Sequence, residues 1–176
     1  MDVWLGITRF NVTLMATTEK GICAFFFGAD EAVLIEECER LFPNVKKYFH
    51  WREKEENLLF DEITQALDQN QFTLHYILDL SRGTTFQQAV WQALKTIPCG
   101  ETRSYKQIAE QIGRPTSARA VAQACAANCL ALLIPCHRVV RSDKRLGGYR
   151  WTEELKGFLL LCEQAACEKA KNHEVE

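Results

Sequence analysis

No stretch of this 176-residue chain reaches the ~18 consecutive apolar residues that a membrane-spanning helix needs. The N-terminus, MDVWLGITRF, lacks the basic flank, long apolar stretch and small-residue cleavage site of a secretory signal, so a cytoplasmic protein is expected. Internal repeats and long flexible linkers are missing, and a hydrophobic content of 47% excludes low-complexity disorder. Most informative is the lack of any Cys-x-x-Cys pair in a chain with eight cysteines. In a reducing compartment these are expected to be thiols: buried small hydrophobes, metal ligands or nucleophiles. Cys125 and Cys129 could lie one helical turn apart, with Cys99 approaching them, but His50 and His75 lack metal-ligand spacing. No metal is therefore assigned.

What the chain does hold is an asymmetry of charge. The net charge is −2, yet residues 101–150 carry nine Lys or Arg against three Asp or Glu, which leaves the remainder strongly acidic. An acidic supporting part joined to a basic working surface fits a partner rich in phosphates, although an ordinary solvated face gives the same signal.

The segments VWLGIT, FNVTLMAT and GICAFFFG are rich in β-branched and aromatic residues and read as an antiparallel meander over residues 3–27. Asp30 opens a helical pattern that stops at Pro43. A second pattern, LLFDEITQALDQ, precedes an expected strand, FTLHYIL. Strands with packed helices make an α+β unit over residues 1–82, with a boundary near Arg82. A mostly helical domain follows over 83–170, and a polar tail over 171–176. Thr85 and Gln88 have capping-box spacing at the start of a helix whose face is marked by Phe86, Val90 and Leu94.

A second capping box, Ser104 with Gln107, opens SYKQIAEQI. Gly113 can end that helix, and Pro115 with Thr116 or Ser117 can start another, which is helix-turn-helix grammar. The second helix, SARAVAQACAAN, has only Arg119 and Gln123 as long polar side chains, four residues apart on one face. A major-groove reader projects several hydrogen-bonding side chains to base edges, and this helix does not. Its small residues, among them Ser117, Ala118 and Ala120, instead allow close approach to a duplex while one Arg protrudes into the stack. An alanine-rich core helix with a surface ion pair would read the same way.

The strongest chemical signal is LLIPCHRVV, where an apolar run delivers Pro135, Cys136, His137 and Arg138. A cysteine attacks only as its thiolate, so it needs a base or positive charge nearby, and His137 with Arg138 offers both. Neighbouring side chains diverge on a regular strand, so a productive Cys-His pair requires a turn or a bridging water.

IPCHRVV, preceded by SARAVAQACAAN and GETRSYKQIA, resembles the signature region of the O6-alkylguanine-DNA alkyltransferases. The similarity runs over essentially the whole chain and is nearest to the alkyltransferase half of the bacterial adaptive-response regulators. It implies a ribonuclease-H-like sheet domain followed by a helical domain with a winged helix-turn-helix. It also implies minor-groove binding with little sequence preference by a monomer of the bacterial cytoplasm or nucleoid, without a cofactor. Carried over by motif, Cys136 is the alkyl acceptor, His137 relays its proton through a water, and Glu163 in LLLCEQ completes the chain. Arg119 takes the place of the flipped guanine, Tyr105 helps to rotate the nucleotide, and Asn128 supports the active-site turn. Ser117, Ala118, Ala120 and Gln123 are the further DNA-contact candidates. Around the base the family places backbone groups at Cys136, Val139 and Arg150, with Tyr149 packed nearby. Arg150 departs from a common serine, which bears on pocket width.

The resemblance therefore implies a repair protein consumed in one turnover: the thiolate displaces guanine from the alkyl carbon, and the thioether has no regeneration route. Two other classes are compatible with parts of the pattern. A DNA-binding regulator would use the helix pair and leave Cys136 structural, and a cysteine hydrolase would use Cys136, His137 and Glu163 with turnover. A lesion sensor without chemistry would lack the acceptor cysteine, which this chain keeps. Covalent movement of an alkyl label from DNA to protein separates all of these.

Overall fold

The computed structural model describes residues 1–173, and the chain divides into two units. The first comprises Met1–Gln69, Leu74–Leu80 and Cys129–Leu133; the second comprises Asn70–Thr73, Ser81–Asn128 and the chain from Ile134. Besides the passage after Leu80, short segments on either side thus belong to the other unit, which a single boundary near Arg82 does not anticipate.

In the first unit β1 (Asp2–Thr8), β2 (Asn11–Thr18) and β3 (Gly21–Gly28) form the expected antiparallel meander. Gly21 has φ +129°, and a Cβ there would lie 2.4 Å from the Ile77 carbonyl oxygen, so both backbone angle and space demand glycine. Asp30 caps α1 (Glu31–Leu41) by accepting from Val33 N at 3.0 Å, and Asn57 caps α2 (Leu58–Asp68) in the same way. Leu5, Leu14, Met15, Phe25, Phe26, Phe60 and Ile63 are buried as the core of this unit.

Two features differ from the sequence expectation. A fourth strand, β4 (Tyr48–Trp51), pairs in parallel with β1, giving the order β3-β2-β1-β4. FTLHYIL is no strand: only Leu78 bridges to Ile22. The free edge of β3 is shared, because Ile22 bonds to Ile77 and Asp79 while Phe25 bonds to Cys129 and Ala131. Two short segments therefore occupy an edge that one long strand would otherwise fill.

The second unit is mostly helical, as expected. Helix α3 (Thr85–Leu94) is capped by a box formed by Thr84 and Gln87, one residue earlier than the spacing suggests. The tandem TTFQQ permits both registers, and Gln88 is taken instead by the Gly83 carbonyl at 2.8 Å. Ser104 and Gln107 form the box that opens α4 (Tyr105–Gln111), and Gly113, at φ +69°, turns the chain out of it. Helix α5 (Ala118–Ala126) buries Val121, Ala124 and Cys125, and Trp91 Nε1 donates to the Ala124 carbonyl at 2.9 Å. A parallel pair, β5 (Arg103–Ser104) with β6 (Val139–Val140), holds the start of α4 beside the Cys136 segment. Helix α6 (Glu153–His173) closes the unit, so residues 171–173 of the expected polar tail are helical, while 174–176 lie outside the described residues.

Candidate active site

The Pro-Cys-His-Arg segment forms a turn, one of the two arrangements that a productive Cys-His pair would require. Residues Cys136–Arg138 make one 3₁₀ turn between Pro135 and β6, so successive side chains do not alternate as on a strand. Cys136 N donates to Ile134 O at 2.8 Å and Arg138 N to Pro135 O at 3.0 Å. Asn128, fully buried, clamps this turn with its amide: Nδ2 lies 3.1 Å from both Ile134 O and Cys136 Sγ. A donor aimed at the sulfur favours the thiolate, but burial dominates and pushes the Cys136 thiol up to about 11.

Behind the turn lies a buried carboxylate. Glu163 accepts from His137 Nε2 at 2.7 Å, from Arg138 Nε at 2.9 Å and Nη2 at 2.8 Å, and from Gly100 N at 3.1 Å. Burial alone would raise its carboxyl, yet bonds from His137 and Arg138 overcome this and hold it at about 2. An ionised carboxylate is acceptor-only, so Nε2 of His137 carries the proton and Nδ1 presents its lone pair. That Nδ1 is buried and has no protein partner among the described residues. Burial also pulls the imidazole below its ordinary value of 6.5, against the opposing pull of Glu163, so His137 is a neutral base at pH 7.

Arg138 departs from the sequence expectation. Its guanidinium is committed to Glu163, to Ile97 O at 2.7 Å and to Phe72 O at 3.0 Å, and it acts as a buried clamp rather than as a charge beside the thiol. The cations that lower the Cys136 pKa are Lys156 and Arg150.

Cys136 lines a cavity of about 270 Å³ with Tyr105, Ala122, Cys125, Ala126, Gly148, Tyr149 and Arg150. Burial raises the half-buried Tyr105 phenol to about 12, which keeps it protonated and able to donate. Tyr149 stands edge-on to His137 with ring centroids 6.5 Å apart, and its hydroxyl is buried without a hydrogen-bond partner among the described residues. Val139 is fully buried in β6 and does not line the cavity. A shallower groove shares Tyr105, Ala122 and Gly148 with this cavity and adds Lys106, Ala118, Arg119, Arg141 and Gly147 among its walls. Arg119 and Gln123 are both exposed on α5, as their spacing predicts, while Ser117, Ala118 and Ala120 are partly exposed near its start.

The sequence reading missed Lys156. This fully buried ammonium donates to Leu146 O at 2.6 Å and Gly148 O at 3.4 Å, and lies 5.9 Å from the centre of the Tyr105 ring. It therefore ties α6 to the loop that forms one cavity wall. The available signal was its position seven residues, or two helical turns, before Glu163 on the same face of α6. The cysteine expectation also needs correction: Cys129 lies beyond the end of α5, and Cys99 sits 3.6 Å from Cys167.

Comparison with known proteins gives a consistent result. Residues 85–165 match the model of the 6-O-methylguanine DNA methyltransferase, DNA binding domain. The chain is 50% identical over 151 residues to the bifunctional transcriptional activator/DNA repair enzyme Ada of Escherichia coli, covering 84% of this chain but only 41% of that longer protein. It is 39% identical over 147 residues to the constitutive methylated-DNA–protein-cysteine methyltransferase of Bacillus subtilis, covering 76% of this chain and 89% of that one. Among solved structures it resembles the Mycobacterium tuberculosis OGT crystallised with DNA, with a TM-score of 0.73, 29% identity and 94% of each chain covered. A sheet unit followed by a helical unit with this buried Cys-His-Glu arrangement, and an extended match to a relative of similar length, make the chain a member of the O6-methylguanine-DNA methyltransferase family.

Proposed function

We propose that this chain repairs DNA by taking O6-alkylguanine out of the duplex and transferring the alkyl group, stoichiometrically and irreversibly, to Cys136. The observation that carries this reading is a cysteine set in a cavity wall with an amide donor on its sulfur and a neutral, carboxylate-anchored imidazole as the next residue. Nucleophile, base and proton donor are all side chains, so no cofactor is called for.

The chemistry follows from the ionisation states. With the thiol near 11, only ~1 in 10⁴ molecules holds a thiolate at pH 7, so the proton has to leave as attack begins. Nδ1 of His137 receives it through a water, and Glu163 stabilises the resulting imidazolium. The sulfur–carbon bond forms as the bond from that carbon to O6 breaks, the displaced guanine takes a proton from water and departs neutral, and the imidazolium returns the former thiol proton to water, so that one proton passes in all from thiol to base. Tyr105, still protonated at this pH, donates to the purine ring and so lowers the cost of expelling a poor leaving group. Asn128 steadies the sulfur while charge builds on it.

The alkyl carbon is hidden in the base stack, so the nucleotide has to turn out into the cavity. Helix α5 approaches the minor groove through Ser117, Ala118 and Ala120, and Arg119 enters the space left in the duplex while Gln123 contacts it from the next turn. Lys106, Arg119 and Arg141 on the walls of the groove beside the cavity meet backbone phosphates whatever the base sequence. Double-stranded DNA with its lesion is thus the partner, and a monomer suffices.

Three outcomes test the reading. After mixing with duplex DNA containing O6-methylguanine, the intact protein should gain one methyl group, mapped to Cys136, and Cys136→Ala should abolish transfer while retaining DNA binding. Methyl on Cys99, Cys125 or Cys129 would contradict it. Arg119→Ala should slow transfer most on fully paired duplex and least on mismatched or single-stranded lesions, because the finger offsets the few kcal/mol of unstacking. Equal losses would reduce Arg119 to a phosphate contact. In single-turnover kinetics the wild-type rate should be nearly level between pH 7 and 9, since the base is already neutral there. His137→Ala should be about 10²–10⁴-fold slower at pH 7 and gain about tenfold per pH unit towards the thiol value of about 11. Coincident profiles would remove His137 from the proton path.

A further inference from the structure

Cys99, Cys162 and Cys167 are partly exposed, while the other cysteines are buried. Two of the three meet: Cys167 Sγ lies 3.4 Å from the carbonyl oxygen and 3.6 Å from the Sγ of Cys99. Cys162, five residues earlier on α6, is turned about 140° round the helix from Cys167. Gly100 makes the approach possible. Its φ of +77° suits glycine, and a Cβ there would lie 2.9 Å from Cys167 Sγ, so a side chain would push against the thiol. The same residue donates its N–H to Glu163 at 3.1 Å, and Cys167 follows Glu163 by four residues on the same face of α6. The thiol pair therefore flanks the contact through which the Cys99–Gly100 turn grips the buried carboxylate.

We propose that Cys99 and Cys167 form a reversible disulfide, with a low-molecular-weight disulfide as oxidant, that staples α6 to the turn holding Glu163 and leaves Cys136 a free thiol. With oxidised glutathione, one thiolate of the pair attacks a glutathione sulfur: a protein–glutathione S–S bond forms, the glutathione S–S bond breaks, and one glutathione thiolate leaves. The second protein thiolate attacks the protein sulfur of that mixed disulfide, and the second glutathione leaves. Two protein thiols are oxidised, one glutathione disulfide is reduced to two thiols, and the two protons released go to the leaving thiolates. Closing the gap from 3.6 Å to the ~2 Å of an S–S bond is within reach of side-chain rotation, so Gly100 and Glu163 keep their contact. Burial, reinforced by the charge of Glu163, pushes the Cys99 thiol up to about 12, so exchange is slow at neutral pH and faster in mild alkali. Cys136 is buried and shielded from an oxidant of this size.

The test exposes the full chain to oxidised glutathione at pH 8, blocks the remaining thiols in denaturant, and maps the unreduced peptides by mass, with thermal unfolding of the treated protein alongside. Wild type, Cys99→Ser and Cys167→Ser are compared. Wild type should yield a Cys99–Cys167 cross-linked peptide with Cys136 recovered as a blocked thiol. Its unfolding midpoint should rise by about 5 °C or more, because the bond joins residues 68 positions apart in the chain. Dithiothreitol should restore the original midpoint, and neither serine variant should show the cross-link or the gain. Glutathione adducts without the Cys99–Cys167 peptide overturn the proposal, as does a cross-linked wild type with an unchanged midpoint. Loss of the Cys136 thiol ahead of the pair, or a gain that persists in either folded serine variant, overturns it too. The wild-type outcomes decide the matter whether or not the variants fold. None of these readouts depends on alkyl transfer, so the assignment of Cys136 as acceptor stands or falls separately.

Discussion

The carboxylate of Glu163 is a charge placed out of reach of water, and the second unit is arranged to make that tolerable. Desolvating an anion costs several kcal/mol, and removing one partner of such a pair typically costs ~3–5 kcal/mol. Here the compensation comes from Arg138, His137 and the backbone N–H of Gly100. Because Arg138 also reaches Ile97 O and Phe72 O, the same charge ties α6 to the end of α3, to the 70–73 segment and to the turn that carries Cys136. The imidazole is consequently oriented and fixed in one tautomer by the interaction that secures the fold around it.

Burial of the thiol has two consequences that pull in opposite directions. It holds Cys136 protonated, which disfavours reaction with oxidants and chance electrophiles, and under the proposed function it makes attack depend on a base within reach. The small residues of α5 serve the same cavity from its other side. Ala122, Cys125 and Ala126 leave room that larger side chains would fill, while Val121 and Ala124 face inward to the core. A helix that looks unsuited to reading base edges is thus well shaped both to border a cavity and to lie close against a neighbouring backbone.

Much of this was legible in the chain. Strand composition, Asp30, Ser104–Gln107 and Gly113 each marked a boundary by local chemistry, because caps and turns are decided by neighbouring residues. The Cys136–His137 pair was legible for the same reason: adjacent residues can cooperate only through a turn. What escaped were features settled at long range. FTLHYIL has strand alternation, but the edge available to it is shared with the segment around Leu130. Arg138 looked like an activating charge, since no local rule shows that Glu163, Ile97 and Phe72 claim its guanidinium. Lys156 looked like an ordinary helix lysine until the carbonyls of Leu146 and Gly148 were found around it. The cap of α3 shifted by one residue because TTFQQ satisfies two registers equally well locally.

The central claim is that a buried, ionised Glu163 keeps His137 as a neutral base with its proton on Nε2. Nitrogen-15 NMR of the histidine side chains, recorded from pH 8 to pH 5 on the unalkylated protein, measures that state directly. The account predicts a neutral imidazole protonated at Nε2 that persists below its ordinary value of 6.5, because burial lowers the pKa. An imidazolium at pH 7, or a neutral ring with its proton on Nδ1, would contradict it.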